Sequence, residues 1–364
     1  MIDKKYQITQ WQLTFLILQT QIGTGVLQLP HLVQSVAKGG GWISVLIAGA
    51  VTQLVLILLW SLSRRYPSFT IYGIGPQIAR RFLGNIIVFA YIVYFVLVGG
   101  SILVLSVRTL NKWLLKDTPT WVLLLLIAVT AIYLAREQLR TISQFCQLAS
   151  FLIPLFVLLI SYGYSDVNLN YTLPVTEAGW NNIVTGAQNS MTAFSGFELL
   201  LLAYPFTKGT NLQKLKAASL ANVAVTLFYV FVTFSCLIFF SPPQLSVIPE
   251  PVLYMLKSFQ IYIVDRADLI FLSIWIVNGV TSITCYIYAG ANGFGYLFHQ
   301  GSHKKAVLYT TLLCCLIALY PQTMTQHDAL VWIKQWMEYI FLLGLPLLLL
   351  SLSYLLKQKE GQTA

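Results

Sequence analysis

One acidic side chain, Glu198, stands in the middle of the apolar segment 180–206, in the run TAFSGFELLLLAYP (192–205). A carboxylate at the centre of a membrane span costs ~2.5–3.5 kcal/mol on insertion scales, so it faces a protein interior or a wet cavity and serves a purpose there. Two chemistries are open to it: pairing with the ammonium of a bound solute, or carrying a proton or cation. A structural hydrogen bond to a neighbouring helix is the plainer alternative. Ser195 and Gly196 precede it, Leu199 follows it, and Pro205 closes the run. A second unusual run, QIGTGVLQLP (21–30), places Gln21, Gly23, Thr24 and Gly25 inside the apolar segment 8–34. If the helix breaks at Gly23-Thr24-Gly25, the freed N–H and carbonyl groups need partners, and a bound solute or water can supply them. The half-helix starting near Val26 would aim its positive end at that spot, which suits a carboxylate. Glycines that only let helices pack closely are the competing explanation.

The elements that must position these residues are membrane spans. The chain has 364 residues, 57% hydrophobic and only 9% charged, against roughly 25% charged in soluble domains. That composition predicts an all-α integral membrane protein, a single membrane domain over 1–364 with no room for a sizeable soluble domain. At about 20 apolar residues per crossing, ten spans are expected, near 8–34, 41–62, 82–110, 119–135, 140–163, 180–206, 216–240, 267–298, 306–322 and 333–356. The first lacks a small-residue cleavage site and reads as a permanent span. Of the 22 basic residues, seven (Lys38, Arg108, Lys112, Lys116, Lys257, Arg266, Lys334) fall on one side. The other fifteen fall at the termini and on the even-numbered loops, which puts both termini in the cytoplasm. Such loop charges mark topology, so the net charge of +10 does not indicate nucleic acid. The stretch 64–82, flanked by arginine pairs, is expected to form a cytoplasmic interfacial helix. PVLYMLKSF, within the outer loop 241–268, is expected to form a short helix at the outer mouth.

Spans 1 and 6, both interrupted by glycine and closed by proline, lie five apart. Interrupted segments at corresponding positions of two halves point to a transporter-type site near the membrane midplane. Polar faces on two further spans complete a lining. In span 3, Tyr91, Tyr94, Val98 and Ser101 follow helical spacing, beside Gly99-Gly100. In span 8, Thr281, Thr284 and Tyr288 share a face, with Asn278 and Ser282 nearby. A hydroxyl stripe of this kind also serves as glue between helices. Thr281 and Ser282 are the oxygens on which a sodium-coupled mechanism would draw. Glu338, near the start of span 10, is expected to snorkel to the interface. The five cysteines lie in apolar segments without a CxxC pair, and the four histidines are scattered, so no metal or other cofactor is expected. The chain holds no HExxH, GxSxG or P-loop pattern, and an enzyme is not expected.

IGTGVLQLP (22–30), GFELLLLAYP (196–205), the ten spans and the length together resemble the B subunit of bacterial spore nutrient germinant receptors, a branch of the amino acid–polyamine–organocation superfamily. The Gly196-Phe197-Glu198 triplet and the compact length separate that branch from ordinary amino-acid permeases. The resemblance implies a LeuT/APC-like, five-plus-five inverted repeat, with 8–163 related to 180–356 and ligand held where spans 1 and 6 unwind. It also implies a spore inner-membrane location, an A-type membrane subunit and a C-type lipoprotein as partners, and a nutrient, often an amino acid, as ligand. On this basis Gln21, Gly23, Thr24, Gly25, Tyr94, Val98, Ser101, Ser195, Gly196, Glu198, Leu199, Thr284 and Tyr288 are the expected ligand-binding residues. A proton- or sodium-coupled amino-acid permease is the alternative function.

Overall fold

The first apolar segment folds as two helices. In the computed structural model, α1 (Gln10–Gln21) opens on a capping box, in which Thr9 and Gln12 satisfy each other's backbone N–H groups, and it ends at Ile22. α2 (Gly25–Ala37) resumes after the break with Pro30 in its second turn. The structure describes residues 6–23, 25–258, 266–298 and 303–360; Thr24 lies outside them.

The described residues are helical but for turns and one isolated bridge between Ile8 and Thr207. α3 (Gly41–Arg65) follows α2. α4 (Ile71–Trp113) carries a short leading helix, set off from its long span by non-helical Ala79 and Arg80. A short helix therefore forms within 64–82, where an interfacial one is expected. α5 (Thr120–Ala135), α6 (Leu139–Ser150) and α7 (Ile153–Ser161) complete the first half. The sixth segment is fragmented: α8 (Trp180–Ser190), a 3-10 turn to Phe194, a break, a 3-10 turn from Phe197, then the single turn α9 (Leu200–Ala203). α10 (Asn211–Phe239) precedes two short helices, α11 (Pro242–Val247) and α12 (Pro251–Ser258). α13 (Ala267–Leu297), α14 (Lys304–Leu319), α15 (Met324–Glu338), a π-helical turn (Tyr339–Gly344) and α16 (Leu345–Leu355) follow. Among the described residues, six helical stretches are long and apolar enough to cross a membrane by length and composition, with shorter apolar helices at Thr120–Ala135 and Phe197–Phe206.

α13 packs along α4, and α10 along α3, while α1 is enclosed by α6, α10 and α13. That enclosure is why the polar residues Gln19, Thr20 and Gln21 are all buried. Both described ends lie on one face, here the near face, bridged by the Trp60 ring N–H near the end of α3, which donates to Asn211 O (2.8 Å). Arg65, at the end of α3, donates to the carbonyls of Ser353 (2.9 Å) and Gln358 (2.8 Å). Ile8 donates to Phe206 O (2.9 Å), and Lys208 donates to Ile8 O (2.9 Å). On the far face, α11 is tied to α2 by Gln34 donating to Pro242 O (3.0 Å). Glu250, just before α12, accepts from Lys112 (2.7 Å) and from the Trp113 ring N–H (2.6 Å). The short far-face helix expected from PVLYMLKSF is therefore present and anchored.

Candidate functional site

The two breaks meet. Gly196 has φ +127°, a conformation that L side chains rarely adopt, and an added Cβ would lie 2.8 Å from Gln21 N and from Thr20 C. A Cβ on Gly25 would lie 2.8 Å from the Ala193 Cβ and 2.9 Å from its Cα. Each interrupted helix thus presents a glycine to the backbone of the other, and the spacing holds only without side chains there.

The freed backbone groups do not wait for a solute. The Tyr229 hydroxyl donates to Gln21 O (2.6 Å) and to Ala193 O (3.0 Å), the Trp275 ring N–H donates to Gly23 O (3.2 Å), and the Gln21 amide donates to Phe194 O (2.8 Å). Aromatic and amide side chains from α10, α13 and α1 itself serve where a bound molecule was expected to. The Gln21 Oε1 alone is left buried without a partner among these groups.

Glu198 is fully buried. Its Oε1 accepts from the hydroxyls of Tyr94 (3.0 Å) and Tyr286 (2.6 Å), and its Oε2 accepts from Gly196 N–H (2.7 Å). The carboxylate closes the break of its own segment and joins it to α4 and α13. Tyr94 also stacks on Phe341, with ring centroids 5.1 Å apart.

Glu338 departs from the sequence expectation. It is only 4% exposed and does not snorkel. Its Oε1 accepts from the Ser195 hydroxyl (2.6 Å) and lies 3.3 Å from the Lys334 ammonium. A second carboxylate therefore reaches the break in the sixth segment, held by a lysine one helical turn away.

A cavity of about 260 Å³ descends to the breaks from the far face. Gly25 and Gln28 of α2, Ser101 of α4, Thr192 and Ala193 of the sixth segment, and Asp328 and Lys334 of α15 are in its wall. A separate pocket of about 30 Å³, enough for one water, lies beside Glu338 and shares Thr192 with the cavity. The expected ligand residues divide around this geometry. Gly25 and Ser101 line the cavity. Gln21, Gly23, Ser195, Gly196, Glu198 and Tyr94 build the packed junction beneath it, and Val98 is buried in the core. Leu199 and Tyr288 lie towards the near face, along a cleft with no room for a water molecule. The Thr284 hydroxyl donates to its own helix at Val280 O (2.8 Å).

The two hydroxyls considered for sodium are engaged. Ser282 lies 3.1 Å from Thr20 O and 3.0 Å from Asn278 O, and Thr281 donates to Asn278 O (2.8 Å). Beside them the Gln19 amide donates to Asn278 Oδ1 and to Thr281 Oγ1 (3.2 Å), while its carbonyl accepts from Ser150 (3.0 Å). Sequence reasoning singled out Asn278, Thr281 and Ser282 but missed Gln19 among them; it also missed Tyr229, Trp275 and the site role of Lys334, and it misplaced Glu338. Among the described residues no three His, Cys, Asp or Glu side chains gather to hold a metal, and no disulfide is present.

Comparison with known proteins agrees with this architecture. The family model described as "Spore germination protein" matches residues 7–327. Spore germination protein GerQB of Bacillus cereus is 24% identical over 87% of this chain and 87% of its own length. Spore germination protein YndE of Bacillus subtilis (strain 168) is 25% identical over 99% of this chain and 100% of its own. A substrate-bound, outward-open Na+-coupled sialic acid symporter superposes with a TM-score of 0.68 at 14% identity, over 93% of this chain and 79% of that one. Mhp1, a nucleobase-cation-symport-1 family transporter in a closed conformation, superposes with a TM-score of 0.64 at 12% identity, over 97% and 80%. The fold is that of the LeuT-like transporters.

Proposed function

The chain belongs to the spore germination protein family, and from that premise we propose that it is the nutrient-sensing membrane subunit of a spore germination receptor. Its ligand is a small polar solute, an amino acid, held beside the breaks of spans 1 and 6. One observation carries this reading: the cavity that reaches the two facing breaks opens on the far face, while backbone hydrogen bonds join the near-face ends of the same two segments. A solute entering from the far face meets the first turn of α2, whose N-terminal end favours a carboxylate. Apolar walls at Leu32, Ile102, Leu105 and Val331 suit a small apolar side chain.

A sensor needs a difference in ligand affinity between two arrangements of the bundle. Here the facing glycines and the Glu198 and Glu338 attachments are the contacts that rearrangement would break. Residues 8–163 and 180–356 act as two five-helix inverted repeats of one membrane domain. The near face is cytoplasmic, the membrane is the spore inner membrane, and an A-type membrane subunit and a C-type lipoprotein take up the signal.

Gly25→Leu tests the site. Its side chain would start 2.8 Å from the Ala193 Cβ, so the nutrient response should vanish with the protein still present in the membrane. A normal dose–response curve would remove the assignment. A coupled permease on the same fold is the second reading, favoured by the likeness to the two symporters. Uptake of the bound amino acid into liposomes by this protein alone would support it, and binding without uptake supports the sensor.

A further inference from the structure

We propose that Lys334 is the counter-charge for the carboxylate of a small amino acid in the far-face cavity, and that the ligand takes it over from Glu338. This rests on the ligand class proposed above and adds the group that recognises it.

The placement of charge along α15 is the starting point. Asp328, at the rim, has a side chain 79% exposed. Lys334 is six residues further in, about 9 Å along the helix axis, and its side chain is 19% exposed. Lys334 lines the same cavity as Gly25, so its ammonium and the positive end of α2 both favour an anion there. An ammonium has three donors, and among the described residues its ion-pair partner is Glu338, at 3.3 Å. That separation is too long for a good charge-assisted bond. The Glu338 oxygen it faces already takes the Ser195 proton at 2.6 Å. A carboxylate arriving in the cavity can therefore compete for the ammonium on favourable terms.

The consequence reaches the break. Ser195 immediately precedes Gly196, so its bond to Glu338 ties α15 to the interrupted segment. The π-helical turn begins at the residue after Glu338, and its Phe341 stacks on Tyr94, a donor to Glu198. Such turns occur mostly as local bulges and often at functional sites. When the ligand draws Lys334 away, Glu338 keeps one neutral donor in a nearly dry setting, a poor environment for an ion. The exchange thus gives the ligand's charge a route to the junction of the two breaks.

Binding to the full-length protein in lipid nanodiscs tests this. The uncharged L-amino acids are screened by calorimetry, and the tightest binder is compared with its decarboxylated amine. The wild type should prefer the amino acid by more than tenfold. Lys334→Met should weaken the amino acid tenfold or more without weakening the amine, collapsing the preference, while Lys334→Arg should keep it. Glu338→Gln retains an acceptor for Ser195 but removes the competing charge, and it should tighten amino-acid binding severalfold. If Lys334→Met keeps the wild-type preference, Lys334 is not the carboxylate's partner, although the binding function stands. Unchanged affinity in Glu338→Gln would overturn the exchange. A wild type that binds no amino acid defeats the function proposed above, and this inference with it.

Discussion

Replacing Glu198 by Gln preserves shape and removes a charge and an acceptor, so its effect can be worked from three contacts. Oε1 holds the Tyr94 and Tyr286 hydroxyls at 3.0 and 2.6 Å, and Oε2 holds the Gly196 N–H at 2.7 Å. An amide has one acceptor oxygen. If that oxygen stays with the tyrosines, its NH2 confronts the Gly196 N–H. If it turns to Gly196, both phenol protons must find other acceptors in a buried site. Either way charge assistance is lost on all three bonds, and at least one buried donor goes unpaired, which costs ~1–3 kcal/mol. The total is ~2–5 kcal/mol, a fall in thermal midpoint on the order of 3–7 °C for a chain of this size. Tyr94→Phe removes only one donor from an oxygen that Tyr286 still holds, and should cost ~1 kcal/mol. The assay is thermal unfolding of the purified protein in detergent, with the nutrient dose–response measured alongside. Glu198→Gln should unfold well below Tyr94→Phe and respond weakly. A Glu198→Gln protein with wild-type midpoint and response would refute the view that this carboxylate closes the break.

Two further outcomes are expected. Burial pushes His303, in the connection before α14, below its ordinary value of 6.5, with its ring edge-on to Tyr288. The unfolded chain then takes up this proton before the folded one does, so stability is full above about pH 6.5 and is lost as the pH falls through the folded value. His303→Gln should flatten that decline in the thermal midpoint between pH 7 and 5.5, and an unchanged slope would show that other groups cause it. Because the hydroxyls of Thr281 and Ser282 already lie on carbonyls of α1 and α13, replacing sodium with choline should leave midpoint and ligand affinity unchanged. A sodium-dependent rise in either would favour the permease.

What could be read from the sequence follows from the physics of each residue type. Glycine and proline inside an apolar run are costly unless the helix is interrupted, so the breaks that follow Gln21 and fall at 195–196 were legible from composition. The buried charge of Glu198 was legible for the same reason. Its bonds were not: Tyr94 stood out on the polar face of span 3, but nothing linked it to a carboxylate 104 residues away, and Tyr286, 88 residues away, looks like an ordinary core aromatic. Tyr229 and Trp275 escaped notice on the same ground. Glu338 was misplaced because hydropathy starts span 10 near 333, whereas α15 begins at Met324 behind a capping box of Thr323 and Gln326. Glu338 therefore lies almost four turns into its helix. The TMTQ pattern and the Lys334–Glu338 spacing were both visible in the chain, and together they place an i,i+4 pair well inside a helix.

The facing breaks and their far-face cavity can be tested by one labelling measurement. Ser101 lines the cavity, and of the five native cysteines only Cys315 is more than slightly exposed, so Ser101→Cys in a Cys315→Ser background gives one reporting thiol. A water-soluble, membrane-impermeant maleimide added to cells carrying this protein should label it from outside, and a nutrient that elicits the response should slow that labelling. A thiol that stays unreactive from outside, or one labelled equally fast at saturating nutrient, would contradict a ligand seated between spans 1 and 6.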